Sequence, residues 1–412
     1  MHLIQPFAGL RPAADRAPEI VAPPYDVLSS DEARARAEGK PWSFLHISKP
    51  EIDLPRGTDV YSAPVYAKAA ENLQRMIDAG VLMQDDAPCY YVYRIVMGSH
   101  TQTGLVAAAS VADYDKNRIR RHELTRPDKE DDRVRQIEAL NAQTGPVLLA
   151  YPEAPAVDAT LQAATAGSPV ADAVADDGVR HTVWAIRDAK TLAELTAAFD
   201  AMHALYIADG HHRSAAASRV CAARKAANAN HTGRESYNNF LSVIFPDREL
   251  AILDYNRVVV DLNGLSLPAF VERIGTAFTV ETSVEQVKPS RHGEVGMYVK
   301  NQWYRLVIKP ELVPQDPVAR LDVSLLSDYL LAPILGIADL RRDKRIDFVG
   351  GIRGLPELEK RVNSGEMSVA FAMYPTTMAD LMSVADADQI MPPKSTWFEP
   401  KLADGLLSHM LD

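Results

Sequence analysis

Apolar and polar positions change period several times along the chain, and each change marks an element. Within Tyr61 to Ala79, Val65, Ala69, Leu73 and Met76 recur every three to four residues, which predicts an amphipathic helix. The charged, alanine-rich Ser30 to Glu38 predicts another. Tyr90 to Val96 and Thr103 to Ala107, with Gly98-Ser99 near the turn, predict a pair of strands. Pro146 to Tyr151, Phe240 to Phe245, Leu250 to Leu253 and Ser368 to Tyr374 are short apolar runs that read as strands. Val295 to Val307 alternates around Asn301-Gln302 and reads as a hairpin. Val323 to Leu335 reads as a helix, and Ala154 to Ala175, alanine-rich and poor in aromatics, as a surface helix or a variable insertion. Prolines break the opening stretches PFAGLRP and VAPPYDVLS into loop, and the closing MPPKSTWFEPKL is likewise expected to be loop. Strands and helices mix without the strict alternation of a doubly wound sheet, so the expected class is α+β (mixed α/β).

One transition combines structure with chemistry. Leu205 to Ala208 is a short apolar run, Asp209-Gly210 is a turn dipeptide, and Ser214 to Ala229 is rich in helix formers. A strand, a turn and a helix start therefore present Asp209, Gly210, His211, His212 and Arg213 together. The positive end of a helix dipole favours an anion such as phosphate there, and Arg213 adds to it. Adjacent histidines on a helix point different ways, so His211 and His212 cannot share one metal ion as a pair on one face.

Composition narrows the function classes. With 412 residues, 47% hydrophobic and 24% charged, the chain is long enough for two or three subdomains and lacks the bias of a disordered one. A net charge of -11, from 44 basic and 55 acidic residues, argues against a protein built to hold a nucleic-acid backbone. No apolar stretch approaches the roughly 20 residues needed to cross a bilayer, and the opening residues do not read as a signal peptide, so a cytoplasmic location without membrane attachment is expected. Cys89 and Cys221 have no second Cys or His at metal spacing and read as buried thiols.

Two further polar segments stand out. In Arg120 to Arg133, His122-Glu123 precedes the run Thr125-Arg126-Pro127-Asp128-Lys129-Glu130. The run reads as a solvated helix start with Thr125 as cap, Pro127 in the first turn and Glu130 closing a loose capping arrangement. His122-Glu123, on the loop before it, can point into a cleft, where a carboxylate near cations serves as a base. Near the end, Pro392-Pro393-Lys394-Ser395-Thr396 offers a cation and two hydroxyls on a stiff backbone, suited to phosphate, or else a tail anchored by Trp397 and Phe398. Gly350-Gly351-Ile352-Arg353-Gly354 matches neither a P-loop nor a dinucleotide fingerprint.

Taken in order, His122-Glu123-Leu124, Asp209-Gly210-His211-His212-Arg213, Ala370-Phe371-Ala372 and Pro393-Lys394-Ser395-Thr396 resemble the motifs of the free-serine kinases of the ParB/sulfiredoxin-like superfamily. The whole length, from PFAGLRP and APPYDV through HELTRPDKE and GPVLLAYP to MPPKSTWFEPKL, resembles a bacterial and archaeal family known as a domain of unknown function. The kinase resemblance implies a ParB/sulfiredoxin-like core with additional α/β elaborations. It implies phosphorylation of free L-serine to O-phospho-L-serine with Mg2+ and a nucleotide donor, which the extra cations Arg126, Lys129 and Arg133 widen to ADP, ATP or polyphosphate. It makes Glu123 the base beside His122, with Asp209, Gly210, His211, His212, Arg213, Lys394, Ser395 and Thr396 around the phosphates or the serine. Arg126, Lys129 and Arg133 are additional phosphate or substrate candidates. Residues 1–245 would carry the first two motifs, and 246–412 would complete the same active site. The alternative is a ParB-like nucleotide-binding regulatory protein without a small-molecule acceptor. Sulfiredoxin-like repair is disfavoured, because the position for its cysteine holds His211 or His212.

Overall fold

The computed structural model describes residues 2–412, in two compact units: Met1–Leu250 with Pro400–Asp412, and Ala251–Glu399. The first is built on a nine-stranded mixed sheet. Its strands in chain order are β1 (Ile4–Gln5), β2 (Tyr90–Met97), β3 (His100–Ser110), β4 (Ile119–Arg120), β5 (Val147–Tyr151), β6 (Ala171–Val174), β7 (Arg180–Ile186), β8 (Leu205–Asp209) and β9 (Asn239–Pro246). Across the sheet they lie in the order β4-β8-β5-β9-β3-β2-β7-β6, with β1 added to β3. Two neighbouring pairs are parallel, β8 with β4 and β9 with β5. The central strands carry apolar residues on both faces, as a sheet covered on both sides requires: all of Val147–Tyr151 and Asn239–Pro246 is buried.

Helices α1 (Ala63–Asp78), α2 (Pro127–Leu140), α3 (Pro155–Ala164), α4 (Ala189–Asp200) and α5 (His211–Ala227) belong to the same unit. Val157 and Leu161 of α3, Leu195 and Phe199 of α4, and Ala216 and Val220 of α5 share one apolar core with the sheet. Phe199 stands edge-on to Tyr151 at 5.4 Å, and its full burial contributes about 1.5–3 kcal/mol. A second core joins Leu73 and Met76 of α1 to Leu140 of α2 and to Phe44 and Leu45.

The second unit carries a six-stranded antiparallel sheet of β10 (Tyr255–Val259), β11 (Phe278–Ser283), β12 (Glu294–Val299), β13 (Gln302–Ile308), β14 (Ile346–Gly350) and β15 (Val369–Met373), in the order β11-β13-β12-β15-β10-β14.

The mixed α/β class stands, and several details move. The helix after the Asp209-Gly210 turn begins at His211, three residues before the propensity signal at Ser214, because Gly210 supplies the turn and the histidines themselves enter the helix. The cap of α2 is Arg126 and not Thr125, although Thr125 does donate to the Glu130 carboxylate. Ala154 to Ala175 is not all helix: after α3 it supplies strand β6, whose pairing with β7 overrides its weak propensity. The hairpin turn lies one residue earlier than the pattern suggests, on Lys300 and Asn301, both with positive φ. Val323 to Leu335 is α-helical only over Asp322–Leu326 and then widens into a π turn over Ser327–Leu331, where Ser327 Oγ bonds back to the Val323 carbonyl. The closing segment is not all loop, since Trp397–Glu399 pairs with Ala251–Leu253. Both cysteines are free and buried, as read from the sequence.

Candidate functional site

Parallel strands β4 and β8 lie side by side, so their carboxyl ends emerge at one edge, the usual place for a ligand in such sheets. Beyond β4 the chain runs into Arg121-His122-Glu123, and beyond β8 into Gly210-His211. The end of β8 is bulged: Ile207 pairs with Leu149 and Asp209 with Leu148, so the extra residue re-aims Asp209. Gly210 follows at φ 105° and ψ 27°, a conformation that costs a side-chain-bearing residue dearly. The Arg213 and Ser214 N–H groups then donate to its carbonyl at 2.9 and 3.0 Å and start α5.

His122 and His211 are both buried, with rings edge to face at 4.5 Å. The His122 N–H donates to His211 Nε2 at 3.4 Å, and His211 Nδ1 lies 3.9 Å from Glu123 Oε2. Neither ring nitrogen of His122 has a hydrogen-bond partner, and the Ile207 backbone lies near without reaching that geometry. Burial pushes the His122 imidazole down to about 4, and burial reinforced by the neighbouring His122 pushes His211 well below its usual range. Both rings are neutral at pH 7. The Glu123 side chain is 47% exposed, so it opens to solvent beside two buried imidazoles.

Around this trio the charges are locked in place. Burial opposes ionisation of Asp209, but Lys401 and Arg213 outweigh it and hold the carboxyl well below the usual range. Lys401 Nζ donates to Asp209 Oδ2 at 3.2 Å, and Arg213 Nη2 lies 3.6 Å from Oδ1. Arg213 also donates to the Pro146 carbonyl. Its guanidinium shares the lining of a cavity of about 30 Å³ with Arg133, Tyr25, Thr144, Gly145 and Asp404. That space holds only a water molecule or two, so this cavity is a polar joint of the fold and takes no amino acid as it stands.

The remaining candidates fall into place around the trio or away from it. His212, the next residue on the helix, faces a different side, and its Nε2 accepts from the Arg126 backbone N–H at 3.0 Å, so the two histidines serve different partners. Arg126 pairs with Asp128 at 2.8 Å on the surface. Lys129 donates to the Tyr61 hydroxyl at 2.8 Å. Arg133 lies over the Tyr25 ring at 3.9 Å and binds Asp132 at 2.6 Å. Lys394, Ser395 and Thr396 belong to the second unit. There Lys394 sits at φ 60° with its amine 5.4 Å from the Tyr255 ring, and Ser395 Oγ donates to the Pro392 carbonyl at 2.7 Å. Sequence reasoning did not single out Lys401, Asp404 or Tyr25. Lys401 follows a hydroxyl-rich run that drew attention first, and Asp404 and Tyr25 sit in segments with no regular periodicity.

The fold and this site define a mixed α/β protein with a histidine–carboxylate cluster at the ends of two parallel strands. The chain belongs to the family described as "Protein of unknown function (DUF1015)", whose model matches residues 4–324. No curated protein matches it. Among solved structures, a conserved hypothetical protein from Pyrococcus furiosus is similar at 13% identity and a TM-score of 0.36, covering 73% of this chain and 94% of that one. A free serine kinase in complex with AMP is similar at 13% identity and a TM-score of 0.36, covering 71% of this chain and 86% of that one. SbnI from Staphylococcus aureus, truncated at its C-terminus, is similar at 13% identity and a TM-score of 0.32, covering 74% and 87%. Among the described residues, no helix is long and apolar enough to cross a membrane.

Proposed function

We propose that this protein is a small-molecule kinase that transfers a phosphoryl group from ADP, ATP or polyphosphate to the hydroxyl of free L-serine. The observation that carries this reading is the placement of Glu123: a half-exposed carboxylate 3.9 Å from His211, the first residue of α5, a helix preceded by Asp209 and carrying Arg213 in its first turn. In the proposed reaction Glu123 accepts the serine hydroxyl proton, the serine oxygen bonds to the transferred phosphorus, and the bond to the leaving phosphate oxygen breaks. Positioning and cationic stabilisation dominate phosphoryl transfer, and the start of α5 with Arg213 fits that need. The motif resemblance to free-serine kinases supports serine as acceptor and a phosphate-binding role for Lys394, Ser395 and Thr396.

Mg2+ belongs to this reading as a companion of the donor's phosphates, whose charge it neutralises. It takes oxygen ligands, so the imidazoles beside Glu123 do not suit it, and Asp209 is already held by Lys401 and Arg213. The experiment is direct: purified protein with L-serine, Mg2+ and each donor is assayed for O-phospho-L-serine beside Glu123→Gln. Phosphoserine from the wild type, lowered about 10²–10⁴-fold in the variant, is the expected result for loss of a base. No product above the variant's level with any donor removes the serine-kinase reading, and nucleotide binding without product would favour a regulatory role.

A further inference from the structure

We propose that His122, Glu123 and His211 form a binding site for a borderline divalent transition-metal ion, of the Zn2+ or Co2+ kind. The inference deepens the kinase reading, because it concerns the same residues, but it stands on separate observations. Each of the three side chains offers one ligand atom, and these atoms all lie within 4.8 Å of one another. Ligands about 2.0–2.1 Å from a tetrahedral ion stand roughly 3.3 Å apart, so a small rotation of the half-exposed Glu123 side chain closes the set.

The independent pointer is His122. Its ring is 2% exposed, and neither nitrogen has a hydrogen-bond partner. A buried polar group left in that state is rare and costly, and a bound ion is one of the few things that satisfies it. The donor set also selects the ion. Two imidazoles and one carboxylate suit Zn2+, Co2+ or Fe2+, whereas Mg2+ takes oxygen.

Ligation uses His211 Nδ1, the nitrogen that faces Glu123, and leaves the ring proton on Nε2. The contact given up is the 3.4 Å bond from the His122 N–H, already long for a hydrogen bond. Three protein ligands leave a fourth position for water or a phosphate oxygen, the pattern of a catalytic rather than a structural ion. A carboxylate bound through one oxygen keeps its second oxygen, so Glu123 can hold the ion and still take a proton from a hydroxyl.

The test uses full-length protein stripped with chelator, dialysed against Zn2+ or Co2+ and counted for bound metal. The expected result is one ion per chain, with a visible Co2+ spectrum typical of low coordination number, both lost in His211→Gln and Glu123→Gln. Circular dichroism verifies folding, and if the buried His211→Gln fails to fold, Glu123→Gln carries the test. Substoichiometric metal in folded wild type, or equal binding by folded Glu123→Gln, overturns the proposal. Phosphoserine formation is measured separately: one bound ion without product keeps the metal site and removes the serine reading, and product without bound metal does the reverse.

Discussion

Lys401 donates to Asp209 at 3.2 Å although 192 residues separate them in the chain. The C-terminal segment thereby reaches back to the turn that launches α5 and fixes its carboxylate. Replacing Lys401 by Met keeps the aliphatic stem and removes the charge. Because Asp209 is held below its unfolded value, the stabilisation is present above about pH 4 and is lost as pH falls beneath it. Urea unfolding at pH 7 is expected to show a loss of about 1–2 kcal/mol in Lys401→Met, shrinking toward zero in acid. A pH-independent difference would mean that the loss does not come from pairing with the Asp209 charge.

Two glycines flank Arg213 and differ in a way that separates strain from crowding. A Cβ on Gly210 would meet Arg213 Nε at 3.1 Å and would also require an alanine at φ 105°. A Cβ on Gly145 would meet Arg213 Cδ at 3.3 Å without a left-handed backbone. Gly210→Ala is therefore expected to cost about 1–3 kcal/mol, and Gly145→Ala less than about 1 kcal/mol. Thermal or urea unfolding ranks them, and a Gly145→Ala loss equal to that of Gly210→Ala would shift the cause from backbone to contact with Arg213.

Most of the elements around the site are legible in the sequence, and the contacts that complete it are not. Leu205 to Ala208 reads as a strand because every position is apolar, and that same completeness buries it between β4 and β5. The Asp209-Gly210 turn reads correctly because glycine is the residue that adopts its conformation at little cost. The junction of His122 with His211 leaves no local trace: it arises from parallel pairing of Leu205 with Ile119, a register that no short window contains. Lys401 and Asp404 are hidden for the same reason, as chemistry supplied by a remote segment whose own pattern is irregular. Strand β6 escapes notice because Ala171–Val174 has a single β-branched residue, Val174, and no aromatic, and its pairing with β7 supplies what propensity does not.

Asp404 gives a pH dependence of the opposite sign. Burial pushes its carboxyl up to about 7, although Arg213 pulls it down. Between about pH 4 and pH 7 the folded chain holds a proton there that the unfolded chain has lost, so stability falls as pH rises through this window and levels off above it. Asp404→Asn mimics the protonated form and removes the dependence. Its stability relative to wild type is expected to grow by on the order of 3–4 kcal/mol between pH 4 and pH 8 in urea unfolding. Curves that run parallel across this range would show that Arg213 and Arg133 keep the carboxyl ionised.

Arg257 is the largest fully buried side chain in the fold and has no carboxylate among its hydrogen-bond partners. Burial lowers its guanidinium to about 10, which still leaves it charged at neutral pH. Nη1 donates to the Tyr255 carbonyl and Nη2 to the Lys394 carbonyl at 3.0 Å, while the group lies 5.5 Å from the Phe348 ring. Its role is thus to hold the backbone of the Pro393 to Thr396 loop from beneath, with Lys394 at φ 60°. Arg257→Met relieves the buried charge but strands two carbonyls, each worth about 1–3 kcal/mol when left unpaired. These effects oppose each other, so the net change in global stability is expected to stay within about 2 kcal/mol. The loop bears the consequence: amide exchange at Lys394 to Thr396 is expected to accelerate strongly while β10 and β15 stay protected. Unchanged exchange in that loop would mean that its own bonds, Ser395 to Pro392 and Thr376 to Ser395, suffice to hold it.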